Sequence, residues 1–204
     1  MHAPGKIVCV GRNYRDHAKE MGNDVPTEPL IFLKPPSSVI GDGEPIMLPS
    51  QSSQVEHEGE IGVIIARRLR RVDTTEASRA IQSIVAANDV TARDLQRSDS
   101  QWTRAKGFDT FCPMGRPVNP PADLTTLTVV TRVNGVERQR GAAADMVFSI
   151  PDVIAYISTI MTLEPGDLVL TGSPAGVGKL LPGDEVEVEV LGHSRVRNPV
   201  TTDA

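Results

Sequence analysis

His57-Glu58-Gly59-Glu60 leads into the apolar run Ile61-Gly62-Val63-Ile64-Ile65, and a second apolar run ends in Asn88-Asp89. On one β-strand successive side chains alternate faces, so Glu58 and Glu60 would project to the same side with Cα atoms roughly 6.5 Å apart. Two like charges on an enclosed face repel each other, and a cation held between them removes that cost. Asp89 would supply a third oxygen. Hard oxygen donors without thiolate, and with little imidazole, suit Mg²⁺ or Mn²⁺ better than Zn²⁺. The same Glu-x-Glu pattern also fits a solvated outer strand face, and the motif alone leaves both readings open. A second pair could do proton chemistry. His17 and Glu20 lie three apart on a short polar helix, where they share a face and the carboxylate can orient the imidazole as a general base. An ordinary surface contact has the same spacing.

These residues need elements to hold them, and the chain reads as more strand than helix. Short apolar runs alternate with Pro/Gly turns. Strands are expected over residues 6–10, 30–33, 39–40 and 56–66, the last being the longest candidate, and again over 84–91, 168–171 and 185–190. Asn134-Gly135 between residues 126–133 and 136–140 is a two-residue hairpin turn. Three helices are expected: residues 14–21, stopped by Gly22; residues 74–83, capped by Asp73; and one capped by Ser149, whose Val153, Ile154, Ile157, Ile160 and Met161 recur at helical spacing. Residues 93–113 are polar, carry the chain's tryptophan and read as a long loop.

Composition narrows the partners. The chain has 204 residues, 39% hydrophobic and 23% charged, enough for one substantial core. A formal charge of −5 and only 3% aromatic residues argue against nucleic acid or an anionic membrane. Arg67-Arg68-Leu69-Arg70-Arg71 reads as a solvated turn. Cys9 sits in a buried-strand pattern and Cys112 precedes a proline, so no disulfide framework is expected. No signal-like or membrane-spanning stretch follows the first residues, and a cytoplasmic location is expected. Gly172-Ser173-Pro174-Ala175-Gly176-Val177-Gly178-Lys179 is no Walker A loop: its first glycine is displaced by one position, and Leu180 stands where Ser or Thr would reach Mg²⁺. Dinucleotide, serine-hydrolase and HExxH signatures are missing as well.

Six segments together resemble the fumarylacetoacetate hydrolase superfamily, in its order and from about Lys6 to Gly192. They are Cys9-Val10-Gly11-Arg12-Asn13-Tyr14 with His17 and Glu20; Phe32-Leu33-Lys34-Pro35; His57-Glu58-Gly59-Glu60; Asn88-Asp89-Val90-Thr91-Ala92-Arg93-Asp94-Leu95-Gln96; Lys106-Gly107-Phe108-Asp109; and residues 170–178. The chain looks most similar to short members acting as acylpyruvases and oxaloacetate decarboxylases. The resemblance implies an α+β, predominantly β fold, a mixed β-roll around a curved sheet with few short helices. It implies one catalytic domain over residues 1–204, a lid helix at about 14–21, and a homodimer. It implies Mg²⁺ or Mn²⁺ held by Glu58, Glu60 and Asp89, with His17 and Glu20 preparing the attacking water. By the same resemblance Lys106 meets substrate oxygen, Arg12, Arg93 and Gln96 contact substrate, and Thr171 hydrogen-bonds its carboxylate.

The implied chemistry is hydrolysis of a C–C bond in acylpyruvates or fumarylpyruvate, or decarboxylation of oxaloacetate. A 2-oxo acid can chelate one metal, which withdraws electrons as an enolate develops. Isomerisation or decarboxylation of 2-hydroxy-dienedioates is the rival within the fold, and a catalytically silent metal-binding dimer is the rival outside it. The separate N-terminal domain of the longer hydrolases and its extra aspartate are missing, which argues against fumarylacetoacetate itself. Ser173 stands where threonine is common. Arg116 stands where many relatives have proline, facing either substrate or solvent.

Overall fold

Ile-Val-Cys-Val has no polar side chain and three β-branched residues, and it forms a strand buried on both faces. A computed structural model of the chain describes residues 4–20, 22 and 24–202. In chain order the first elements are β1 (Ile7–Gly11), α1 (Arg15–Glu20), β2 (Leu30–Lys34), β3 (Val39–Ile40), β4 (Ile46–Leu48), β5 (Val55–His57) and β6 (Gly59–Ile65). Next come α2 (Thr74–Ser78), β7 (Ile81–Asn88), β8 (Thr91–Ala92), α3 (Arg93–Ser98), α4 (Thr103–Lys106) and β9 (Cys112–Pro113). The last are β10 (Thr128–Val133), β11 (Val136–Ala142), α5 (Ile150–Ile160), β12 (Leu168–Leu170), β13 (Gly178–Lys179), β14 (Glu185–Val190) and β15 (Ser194–Thr202). Strands dominate and the helices are short, as expected of an α+β chain rich in β-structure.

Two five-stranded sheets carry the fold, in the orders β2-β1-β12-β6-β7 and β11-β10-β14-β15-β4. Val63, Ile65, Ile84 and Ala86 of the first share one buried cluster with Val129, Val188, Val190 and Val196 of the second, and Val153, Ile154 and Ile157 of α5 close it. Ser149 caps α5 in a reciprocal capping box with Asp152. The Asn134-Gly135 turn takes positive φ at both residues, 52° and 77°, as a type I′ hairpin requires. Gly59 lies where the two sheets meet: a Cβ there would lie 1.9 Å from Oγ1 of Thr131 on β10.

Several expected boundaries are corrected. Residues 56–66 are not one strand. The chain leaves the ladder at Glu58, whose amide donates to Asn88 Oδ1 at 2.9 Å and whose carbonyl accepts from Asp89 N at 2.8 Å. That break sends β5 into a small sheet with β13 and β8, while β6 stays in the main sheet. The longest described strand is β15, with nine residues. Helix α2 stops at Ser78, and strand resumes at Ile81. Residues 93–113 hold α3 and α4 rather than an unbroken loop. Ile160, at the end of α5, is 54% exposed and does not join the buried face. Helix α1 is described through Glu20; Met21, the expected last residue, lies outside the described residues, as do Met1, His2 and Ala3. Cys9 and Cys112 are both buried and free, and Arg67, Arg68, Arg70 and Arg71 are exposed.

Candidate active site

The interruption at Glu58 creates the site. Because Glu58 and Asp89 hydrogen-bond across the ends of β6 and β7, their side chains meet Glu60 where the sheet opens. One ligand oxygen from each of Glu58, Glu60 and Asp89 lies within 4.8 Å of the others, and all three residues are buried. The solvated-face reading of this motif therefore fails.

Buried cations surround the triad. Lys106 Nζ donates to Glu58 at 2.8 Å and to Asp89 at 2.6 Å. Arg93 pairs through Nε with Glu56 at 2.8 Å, through Nη2 with Glu58, and through Nη1 with Gln96. Lys34 Nζ donates to Asp89 at 2.8 Å, to the Val90 carbonyl at 3.2 Å and to the Lys106 carbonyl. Four buried carboxylates (Glu56, Glu58, Glu60, Asp89) thus face three buried cations (Lys34, Arg93, Lys106), which leaves one negative charge uncompensated. Glu60 carries it. Burial, then Asp89 and Glu58, push its carboxyl well above the usual range, and the Gly172 N–H at 2.6 Å only partly opposes them. Burial works the same way on Glu58, but Lys106 and then Arg93 outweigh it and hold that carboxyl well below the usual range. Burial opposes the charge on Lys106 too, and Asp89 and Glu58 more than restore it.

An all-oxygen cluster with a charge deficit at Glu60 fits a hard divalent cation of the Mg²⁺ or Mn²⁺ kind. The observation behind this fit is Glu60 itself, a buried carboxylate with two like neighbours and no side-chain cation on it.

A small cavity of about 50 Å³ opens onto the triad. Eight of the ten expected site residues line it: Arg12, His17, Glu58, Glu60, Asp89, Arg93, Gln96 and Lys106. Glu20 stands behind His17 as expected, with Oε2 3.2 Å from His17 Nδ1, and its carboxylate also accepts from Gly176 N at 3.1 Å. That second bond latches α1 over the site. Thr171 is the exception. Its hydroxyl donates to the Ile61 carbonyl at 2.8 Å, continuing the register of β12 with β6, and the residue does not line the cavity. The residue that lines the cavity is Ser173, two positions on and past Gly172 at φ 103°; its hydroxyl accepts from Gln139 Nε2 at 2.7 Å. Arg93 pairs with neither Asp94 nor Asp89, and Lys106 is not a solvated loop lysine. Arg116 is exposed and lies outside the cavity lining.

Several contributors were not among the expected site residues. Lys34 was legible only as part of a motif, although a lysine closing an apolar strand is itself a signal. Gln139 ties three parts together: its Oε1 accepts from His57 Nδ1 at 2.9 Å and Gly59 N at 3.0 Å, while its Nε2 reaches Ser173 and the Pro174 carbonyl. His57 is thereby structural, and burial lowers its pKa. Phe32 and Trp102 form an apolar wall, edge to face with centroids 5.3 Å apart, and Lys106 Nζ lies 4.9 Å from the Phe32 centroid.

Comparison with known proteins identifies the family of the chain. The chain is 43% identical over 194 residues to the mitochondrial oxaloacetate decarboxylase of Dictyostelium discoideum, covering 92% of this chain and 89% of that protein. It is 42% identical over 197 residues to the oxaloacetate tautomerase YcgM of Escherichia coli, covering 93% and 90%. The crystal structure of 5-carboxymethyl-2-hydroxymuconate delta-isomerase from Mycobacterium smegmatis superposes with a TM-score of 0.92 at 42% identity, covering 99% of this chain and 80% of that one. Residues 6–201 match the family described as fumarylacetoacetate (FAA) hydrolase, C-terminal. The chain belongs to the fumarylacetoacetate hydrolase family.

Proposed function

We propose that this protein is a divalent-metal-dependent enzyme that cleaves a C–C bond in short 2-oxo acids, by hydrolysis of acylpyruvates or fumarylpyruvate, by decarboxylation of oxaloacetate, or both. The carrying observation is that the buried Glu58/Glu60/Asp89 triad and the Glu20-oriented imidazole of His17 meet one small cavity. Glu58, Glu60 and Asp89 would hold Mg²⁺ or Mn²⁺, which when bound supplies the positive charge that draws electrons from a 2-oxo acid.

The chain's own groups divide the rest of the work. His17, held through Nδ1 by Glu20, presents Nε2 as the base that takes a proton from water as its oxygen adds to the distal carbonyl. Water adds across the C–C bond, and a carboxylic acid and pyruvate leave. In decarboxylation oxaloacetate gives CO₂ and takes up one proton to become pyruvate, with no water attack. Both reactions leave negative charge on the pyruvate fragment, and Lys106 is the ammonium positioned to stabilise it. Ser173 offers a hydroxyl and Gln96 an amide to orient the substrate.

A second reading has its own support. Keto–enol exchange of oxaloacetate needs only a base and an acid, His17 and Lys106 line the same cavity, and the Escherichia coli relative is named for that activity. A panel of acetylpyruvate, fumarylpyruvate and oxaloacetate with Mg²⁺, run on wild type and His17→Ala, separates these chemistries. Hydrolysis is expected to fall about 10²–10⁴-fold in His17→Ala and decarboxylation far less. Equal loss of both would contradict the water-activating role. The protein is further proposed to work as a homodimer.

A further inference from the structure

We propose that Trp102 is a specificity-determining residue, a size gate that closes the apolar side of the cavity and restricts the site to 2-oxo acids with short tails; this rests on the 2-oxo acid reading above. The first observation is that the cavity lining divides into two chemically unlike parts. One is charged and holds the triad, Arg93 and Lys106. The other is built from Val10, Gly11, Phe32 and Trp102. Those four residues are contiguous: Val10 and Gly11 end β1, Phe32 pairs with Cys9 from the neighbouring strand, and Trp102 meets both Phe32 and Gly11.

A 2-oxo acid has the same division, with a carboxylate and ketone at one end and a carbon tail at the other. The head belongs with the charged groups, where its oxygens find partners, and the tail is left to the rings. Lys106 marks the boundary. Its Nζ touches Glu58 and Asp89 and lies 4.9 Å from the Phe32 centroid, so the apolar part begins directly beside the charged part. In a cavity of about 50 Å³ little room remains for the tail.

The second observation is how the indole is set. Gly11 is not among the residues with positive φ, so its backbone does not call for glycine. Space does. A Cβ there would stand 3.3 Å from Cζ3 and 3.5 Å from Cη2 of Trp102. Phe32 meets the indole edge to face, with centroids 5.3 Å apart. The Trp102 carbonyl accepts from Lys106 N at 2.9 Å, so the indole and the Lys106 ammonium are placed by one helical turn, α4. Trp102 is half-buried, so solvent and not a further wall lies beyond the indole, and removing the ring would open the cavity outward.

The test is binding of N-methyloxamate against N-hexyloxamate with Mg²⁺ present, followed by titration calorimetry. Both carry the carboxylate and carbonyl of a 2-oxo acid, with an amide nitrogen where the enolate carbon would form, and they differ only in tail length. Wild type is expected to bind N-methyloxamate at least about tenfold more tightly, and Trp102→Ala to bring the ratio within about twofold. Oxalate, a head without a tail, reports whether the triad and Lys106 are intact in the variant. Where Trp102→Ala loses oxalate, Trp102→Leu, which opens less room, decides by a ratio between that of wild type and unity. N-Hexyloxamate bound by wild type as tightly as N-methyloxamate, a wild-type ratio that survives in the variants, or loss of oxalate by both variants would overturn the gate. A wild type that turns over no 2-oxo acid would overturn the functional reading instead, and the oxamate ratio would still decide the role of Trp102; failure of wild type to bind either oxamate would overturn both.

Discussion

Glu60 is the buried carboxylate whose charge the protein does least to compensate. Glu58 and Asp89 contact Lys106, and Asp89 also contacts Lys34, whereas the contact described for Glu60 is the Gly172 N–H. Replacing it with glutamine keeps the shape and removes the like-charge repulsion. Glu60→Gln is expected to be more stable than wild type in EDTA, by about 1–3 kcal/mol in a denaturant titration, while losing turnover. A Glu60→Gln protein less stable than wild type under those conditions would contradict this account of the charge balance. At this scale the sequence was informative about oxygen chemistry: Glu58, Glu60 and Asp89 were recognisable because three acids at the ends of apolar runs need a reason. Lys34 and Ser173 were not, because their roles depend on what lies beneath them. Lys34 reads as the close of a strand until the fold places Asp89 and the Lys106 carbonyl against its ammonium. Thr171 and Ser173 differ by two residues, and only the turn at Gly172 decides which of them lines the cavity.

Helices α3 and α4 carry Arg93, Gln96 and Lys106 into the site, and the sequence disguised both. Six and four residues are too few for a helical period to emerge from a polar stretch. What anchors α3 is Asp94 in its first turn. Its carboxylate accepts from Ser52 Oγ at 2.6 Å and from Ser53 N at 2.8 Å, tying the loop before β5 to the helix that presents Arg93. Burial opposes ionisation of Asp94, but the hydrogen bonds from Ser52, Ser53 and Leu95 together outweigh it and lower its pKa to about 2. A carboxyl with a depressed folded pKa contributes stability above its unfolded value of 3.8, and loses that contribution as pH falls toward 2. Asp94→Asn is therefore expected to cost about 1 kcal/mol at pH 7, allowing for partial exposure, with the gap to wild type closing between pH 4 and 2. Denaturation at both ends of that range checks it, and a gap that persists at pH 2 would show that the bonds, not the charge, matter. The broken strand at Glu58 was equally hidden, because apolar residues continue through Ile61–Ile65 without a Gly/Pro break other than Gly59 and Gly62.

At the scale of the molecule, the predominance of strand over helix was legible from alternating short apolar runs, and the hairpin from Asn134-Gly135. Strand β15 was not, since Arg195, Arg197 and Pro199 alternate with Val196, Asn198 and Val200 in a run that looks like a polar tail. Its alternation is of period two all the same: the even-numbered residues from Ser194 to Val200 are buried and the odd ones exposed. Leu30 and Leu33 stand exposed on β2, an edge strand. Light scattering at micromolar concentration is expected to give twice the chain mass, and a monomer would contradict the proposed dimer. No helix among the described residues is long and apolar enough to cross a membrane. The central claim is that Glu58, Glu60 and Asp89 hold a divalent cation on which turnover depends. It is tested most directly by oxaloacetate turnover after EDTA treatment, followed across a Mg²⁺ titration for wild type and Glu58→Gln. The account predicts no turnover in EDTA, saturable recovery with Mg²⁺ in wild type, and none in Glu58→Gln; turnover that survives EDTA, or that persists in Glu58→Gln, would contradict it.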